Sequence, residues 1–560
     1  MTAAPTVADS GDRIARKLDE LLRPWDRNDA PGLVIGVASA GVPLFRRGFG
    51  LASVEHGTAN TAATRMRIAS TSKHFAALAA LLLAEEGKLD IDAPARIYLP
   101  ELEGAGGEPS LRQMMQHTSG VRDPFDLPGL MLFGSWSTAL CAGAGLEIGK
   151  RFSDANFAPG ERMVYSNQGY YLLSLAIERV SGVPFASFLK QRVLAPLGMA
   201  DTELLPSDMQ MVSGIASFHI AQPDGSYRRG IYPSEELLGS GGMISTVDDM
   251  LKWLSHLRSE EKRVGTPGSW ETMLQRPRYS SGAMGDYCLG LIRETYRGVE
   301  IIHHAGAVFG CQSQMLTVPA HQLDIILMFN RMDVSAPAIA LKVVDCVLDG
   351  RLAAAAPPLN PAGREAVLGR WYSAASHRVF GVVAHSLPDK SPALALSIQD
   401  QVGGLLRETD GGLIMTSAAH GAVELRLPPD VDARPEALDI VDSGHLERFV
   451  RLPDTGPSAP ALAPELVGHY RYSDLDLALS VILEEDVLYL DLLPMCGSSR
   501  FQLTPYSLDV YGCTLRSSWP MPLPAQYFAA TLAVERSGGK VSGLWLNSWR
   551  TRNLWLERCA

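Results

Sequence analysis

Four serines in this chain are followed three residues later by a lysine: Ser70–Lys73, Ser187–Lys190, Ser259–Lys262 and Ser537–Lys540. A serine hydroxyl attacks a carbonyl at neutral pH only with a base in hydrogen-bond reach, and a lysine serves as that base only when burial or a nearby cation lowers its pKa. Spacing does not choose among four copies, but context does. Ser70 stands just ahead of "KHFAALAALLLAEEG", an Ala/Leu run that predicts a helix capped by Gly87. Ser70 and Lys73 then share one face of its first turns, where free N–H groups and the helix dipole favour an oxyanion. The competing reading makes Ser70 an N-cap and Lys73 a solvated lysine.

Two further phrases carry chemistry. Tyr165-Ser166-Asn167 is the only Tyr-x-Asn among 16 tyrosines and precedes another apolar helical run. His304-Ala305-Gly306 is the only His-x-Gly among 13 histidines, on what reads as an edge strand beside a Gly-containing turn. Taken singly, Tyr165 and Asn167 read as a turn before a helix and His304 as a structural histidine. His303 and His117 have no motif position and are read as structural.

These residues need a scaffold. "SGDRIARKLDELL" predicts a helix over 10–22 with Ser10 as N-cap, and "GLVIGVASAGVPLFRRGFGLAS" a hairpin turning near Gly41. "CQSQMLTVPAHQLDIILMFNR" reads as strand, turn and strand, and "APAIALKVVDCVLDG" as a closing helix with Gly350 at its C-cap. This is α+β logic, an antiparallel sheet covered by helices. Ala/Pro-rich stretches at 351–363 and 453–464 read as linkers. Each is followed by a related phrase, "VLGRWYS" or "LVGHYRYS", and each following segment closes comparably, with "HLERFVRLP" or "NLWLERC". With their short alternating runs, these segments predict a weak internal duplication and two small antiparallel β-barrels or sandwiches. The expected domains are 1–350, 364–453 and 465–560.

The composition is that of a globular protein, with 560 residues, 46% hydrophobic and 20% charged. A net charge of -11 gives no basic surface for nucleic acid or anionic lipid. Seven cysteines without zinc-site spacing read as free thiols in a reducing compartment. No apolar stretch reads as a signal peptide or membrane span, so a cytoplasmic protein is expected.

In their order, Ser70-x-x-Lys73, Tyr165-x-Asn167 and His304-x-Gly306 resemble the three motifs of the penicillin-recognising serine hydrolases, which include serine β-lactamases and D-alanyl-D-alanine peptidases. The phrases "GKLDIDAP", "LRQMMQHTSGVRD", "LLGSGGMISTVDDMLKW" and "YCLGL" are similar to the class C branch, over about residues 28–330. Most relatives have Lys-Thr-Gly as the third motif; here no such tripeptide occurs and His304 stands in its place. That departure, with two extra β-domains, resembles the D-stereospecific aminopeptidases of the superfamily.

The resemblance implies that Ser70 forms an acyl-enzyme, with Lys73 as base and Tyr165 relaying a proton to the leaving amine. It further implies that Asn167 orients Lys73 and substrate, and that His304, Gly306 and Ala307 belong to the substrate side. The backbone N–H groups of Ser70 and Ala307 are the expected oxyanion hole. No metal or organic cofactor is required. A neutral His304 supplies no permanent cation, so a substrate without a carboxylate is favoured: a small peptide, amide or ester with a free amine. D-specificity comes from the resemblance alone. In that subgroup a loop of the last β-domain supplies an acid, and the comparable region here, 509–526, offers only Asp509. Its Pro-rich part, Thr514 to Pro524, is the expected cover of the cleft. A β-lactamase-like esterase and a non-catalytic ligand sensor are the competing functions, and a homodimer is compatible with each.

Overall fold

In the computed structural model, which describes residues 7–559 apart from 125, 127–142, 233–234, 356–358, 360–361, 363, 388–389, 410, 418–419, 428–433, 493–498 and 518–528, one antiparallel sheet joins distant parts of the chain. Its six strands lie in the order Ile292–Tyr296, Val299–Val308, Cys311–Val318, Leu323–Phe329, Leu33–Ser39, Val42–Phe49. The join runs from Leu33↔Phe329 to Ser39↔Leu323. The N-terminal hairpin turns through Ala40 and Gly41 at φ 51° and 80°, the paired positive values of a primed turn whose twist suits a hairpin.

Helices cover both faces. On one, Leu18 and Leu22 of helix Val7–Leu22 pack with Ile339 and Val343 of helix Ala336–Val347 over Ile35 and Leu327. The first helix begins three residues before the expected Ser10. The closing helix takes Leu348 as its C-cap, and Gly350 adopts its left-handed φ of 75° in the turn beyond it. On the other face, Val34 and Ala38 meet Phe75, Leu78, Met250 and Leu254. Helix Lys73–Glu85 is apolar on all sides, and every residue from Lys73 to Leu83 is buried. Its uniform Ala/Leu composition makes it a central core helix rather than an amphipathic cover. Glu86 is its C-cap and Gly87, at φ 67°, ends it as expected.

The strand carrying His304 is not an edge strand over its whole length. Val299–His303 pairs with Ile292–Tyr296, and Ile302–Val308 pairs with Cys311–Thr317. Past His303 the Ile292 strand has ended, so residues 304–308 form a sheet margin beside the turn that bears Ser70.

Two antiparallel β-structures follow. The first is a nine-stranded, nearly closed sheet from Gly369–Ser373 to His445–Arg451; the second is a closed barrel of eight strands from Gly468–Tyr472 to Leu554–Arg558. They share a closing device. In the first, Trp371 pairs with Arg451, whose guanidinium lies 4.1 Å from the Trp371 ring and donates to the Leu368 carbonyl. In the second, Tyr470 pairs with Arg558, whose guanidinium lies 5.8 Å from the Tyr470 ring and donates to the Val467 carbonyl. The paired phrases in the sequence are these first and last strands. The second expected linker is partly ordered: Ala459–Leu466 forms a helix, started by Pro460, that buries Leu462 and Leu466 in the closed barrel.

Candidate active site

Ser70 sits in a 3-10 turn, Ala69–Ser72, that runs directly into helix Lys73–Glu85. Its side chain caps no helix N–H, which removes the N-cap reading. The turn is clamped on all sides. Ser72 donates to the Ala69 carbonyl (2.6 Å) and accepts from the Met243 N–H (3.1 Å). Ser313 donates to the Ile68 carbonyl (2.7 Å), and Thr71 donates to the His304 carbonyl (3.3 Å). Ala69 is held at φ 46°, a left-handed conformation costing an alanine roughly 1–2 kcal/mol. Such strain persists only where surrounding contacts over-determine the backbone, as these four do.

Lys73 is 0% exposed, so it is no solvated lysine. Its Nζ lies 3.3 Å from Ser70 Oγ, 2.8 Å from Asn167 Oδ1 and 2.5 Å from the Ser240 carbonyl. Burial pushes its pKa well below the usual lysine value, and the Arg550 cation pushes the same way against the Asp123 carboxylate. A neutral amine has two N–H groups and one lone pair. Asn167 Oδ1 and the Ser240 carbonyl can only accept; in that form they would take both N–H groups and leave the lone pair for Ser70, whereas an ammonium would donate to all three oxygens.

Tyr165 and Asn167 reach the site from the start of helix Asn167–Ser181. Asp123 Oδ2 accepts the Asn167 N–H (2.7 Å), and His117 Nδ1 accepts the Ser166 N–H (3.1 Å). His117 is therefore structural, as read, but what it builds is the Tyr165–Asn167 segment. Burial raises the pKa of the Tyr165 phenol, so it stays protonated at neutral pH, and its ring centre lies 4.8 Å from Lys73 Nζ and 6.0 Å from that of Tyr287.

His304 does not line the cleft. It is buried, with Nδ1 2.6 Å from the Ala305 carbonyl and Nε2 2.8 Å from the Tyr287 hydroxyl. A carbonyl only accepts, so Nδ1 carries the proton and Nε2 accepts from Tyr287. Burial holds the ring's pKa well below the usual histidine value and keeps it neutral. Gly306 is required by proximity: a Cβ there would lie 2.1 Å from the Ile68 carbonyl oxygen and 2.5 Å from Ser313 Oγ. His303 bridges Glu294 (3.1 Å) and Gln314 (3.2 Å), a structural role as read.

A cleft of about 460 Å³ opens over Ser70, bordered by Asn167, Ser240 and Ala307. Both C-terminal β-structures wall it, the first with Gln401, Val402 and Gly403 and the second with Trp549 and Arg550. The expected cover, Thr514 to Pro524, lies from residue 518 onward outside the described residues. Asp509 is not the cleft's acid, because it pairs with Arg536 (2.8 Å). The carboxylate in the lining is Asp126, which accepts from Ser548 (2.5 Å) and Thr551 (2.7 Å). Asp126, Arg550, Tyr287 and Asp123 were not assigned from sequence. Tyr287 and Asp123 lie within phrases that signal the class C branch; nothing marks "NSWRTRN", around Arg550, as more than a barrel turn.

A serine hydroxyl, a buried amine of depressed pKa and a protonated phenol, gathered where a helix meets a sheet margin, are the groups of a β-lactamase-like hydrolase. The chain belongs to the Beta-lactamase family, whose model matches residues 12–345. It is 26% identical over 562 residues to the D-aminopeptidase of Cereibacter sphaeroides, covering 98% of each chain. It is also 26% identical over 548 residues to the D-aminopeptidase of Gluconobacter oxydans, covering 95% of this chain and 96% of that one. In fold it is similar to the octameric penicillin-binding protein homologue from Pyrococcus abyssi, with a TM-score of 0.52 and 20% identity over 79% of this chain and 99% of that one.

Proposed function

We propose that this Beta-lactamase-family hydrolase is a serine enzyme that forms an acyl-enzyme at Ser70 and releases N-terminal D-residues from short peptides, amides or esters. The observation that carries the reading is the buried Lys73 amine, 3.3 Å from the Ser70 hydroxyl and held by Asn167 and the Ser240 carbonyl, which in its neutral form would turn its lone pair to that hydroxyl. Lys73 takes the Ser70 proton as Oγ attacks the substrate carbonyl, and the N–H groups of Ser70 and Ala307 hold the resulting oxyanion. The proton passes through Tyr165 to the departing amine, the C–N bond breaks, and the acyl-enzyme remains. Water, deprotonated by the same Lys73–Tyr165 pair, releases the acid and restores Ser70. Asp126 in the lining supplies an anion for the substrate ammonium. D-specificity rests on relatives that match nearly end to end and are named D-aminopeptidases.

Labelling by a fluorophosphonate, read by intact mass, tests the nucleophile: wild type gains one adduct and Ser70→Ala none. D-Ala p-nitroanilide should be hydrolysed well ahead of its L-isomer. Turnover by Ser70→Ala above about one part in a thousand of wild type would refute the assignment, given the losses seen when a nucleophile is removed.

A further inference from the structure

Arg550 places a permanent cation in a cleft whose own third motif lacks one. It lies on the turn between strands Lys540–Ser548 and Leu554–Arg558 of the closed barrel. That turn is bolted to the catalytic region. Asn156 donates to the Arg550 carbonyl (3.0 Å) and accepts the Arg552 N–H (2.9 Å), while Arg122 donates to the Arg552 carbonyl (3.0 Å). Ser548 and Thr551 on either side are tied to Asp126. The position of Arg550 is thus set by backbone contacts and not by its own charge.

Its guanidinium is under-used. It lies 5.0 Å from the centre of the Tyr165 ring and 3.6 Å from Asp123 Oδ2, an ion pair too long for a hydrogen bond. Asp123 Oδ2 is meanwhile occupied by the Asn167 N–H. Among the described residues the guanidinium donates no hydrogen bond, so its fork of N–H groups is available to the cleft it lines. Of the described lining residues only Asp126 and Arg550 carry charge, one of each sign.

We infer that Arg550 binds a free carboxylate on the leaving group, so that the cleft selects short peptides with an unblocked C-terminus, dipeptides above all. This deepens the aminopeptidase reading and rests on it. The leaving amine must come to the Tyr165 hydroxyl to be protonated. In a dipeptide the carboxylate sits two bonds from that nitrogen, on the side where Arg550 covers the Tyr165 ring. The ammonium at the other end has Asp126. The third-motif histidine suggests a substrate without a carboxylate; a cation arriving from a different part of the chain favours the opposite.

Calorimetry with full-length Ser70→Ala protein, which binds without turning substrate over, separates this inference from the reading it rests on. D-Ala-L-Ala should bind at least about 10-fold more tightly than D-Ala-L-Ala amide, the discrimination expected of a charge-assisted contact. In Ser70→Ala/Arg550→Met the gap should shrink below about 3-fold, and in Ser70→Ala/Arg550→Lys it should be partly kept. Equal affinity for acid and amide, failure of the acid to bind, or a gap that survives Arg550→Met in a protein with an unchanged circular dichroism spectrum would overturn it. Failure of the aminopeptidase reading is a separate result: wild type that cleaves neither D-Ala-L-Ala nor D-Ala p-nitroanilide.

Discussion

At the scale of single residues, the proposed chemistry depends on exhausting donors and acceptors until one lone pair and one proton remain. Lys73 gives its N–H groups to Asn167 and Ser240, and His304 commits the Tyr287 proton to its own Nε2. The Tyr287 ring stands edge-on to that of Tyr165, with centroids 6.0 Å apart. Tyr287→Phe removes the hydroxyl that holds His304 beside the Tyr165 ring and should lower kcat roughly 10-fold or more with little change in KM, against about 10²–10⁴ for Tyr165→Phe. A change confined to KM would show that Tyr287 contacts substrate. The pH profile tests Lys73. With Lys73 as the proposed base, its neutral amine is the active form and kcat/KM should rise with pH through the depressed Lys73 pKa. Arg550→Met removes a cation that opposes protonation and leaves Asp123, which favours it, so the acid limb should move to higher pH.

At the scale of elements, a strained turn is wedged between a core helix and a sheet margin. The Ala/Leu helix fixes Lys73 from behind, and strand residues 304–308 close on the turn from the front. The approach is so tight that only glycine fits at 306. Gly306→Ala must push the strand off Ile68 and with it the Ala307 N–H. A misplacement near 1 Å costs about 100-fold, so kcat and the rate of fluorophosphonate labelling should fall together by at least that factor. A labelling rate within 3-fold of wild type would show that the margin yields elsewhere.

At the scale of the molecule, two β-structures do more than decorate a hydrolase, since each contributes to the wall of the cleft. Their junction is sensitive to acid. His420 of the nine-stranded sheet is buried with its ring 4.3 Å from that of Trp549 on the closed barrel, and burial lowers its pKa to about 3. The unfolded chain takes up a proton near pH 6.5 that the folded chain refuses until about pH 3. Its contribution to stability is therefore whole above pH 6.5 and falls as pH drops through that window, at most by about 1.4 kcal/mol per pH unit. His74, stacked on Trp253 and also lowered to about 3, adds a second such term. His420→Phe should flatten the fall of Tm between pH 6.5 and pH 4, and an unchanged slope would remove His420 from the acid response.

The gathering of Ser70, Lys73, Tyr165 and Asn167 at one site was legible in the sequence, because helical spacing and rare tripeptides single them out without knowledge of the fold. So were the α+β sheet and the paired β-structures, whose periodicity and repeated strand phrases are local properties. His304 was found but misplaced: its residue type shows that it is neutral, whereas its retreat behind Tyr287 depends on a strand that ends at Ile292↔His303. The charge of the cleft could not be read at all. Arg550 and Asp126 are 424 positions apart in the chain, and a cation's field acts through space, not along sequence. Only the docking of the closed barrel, through Arg122, Asn156 and Asp126, brings them to one wall and decides which charges a substrate meets.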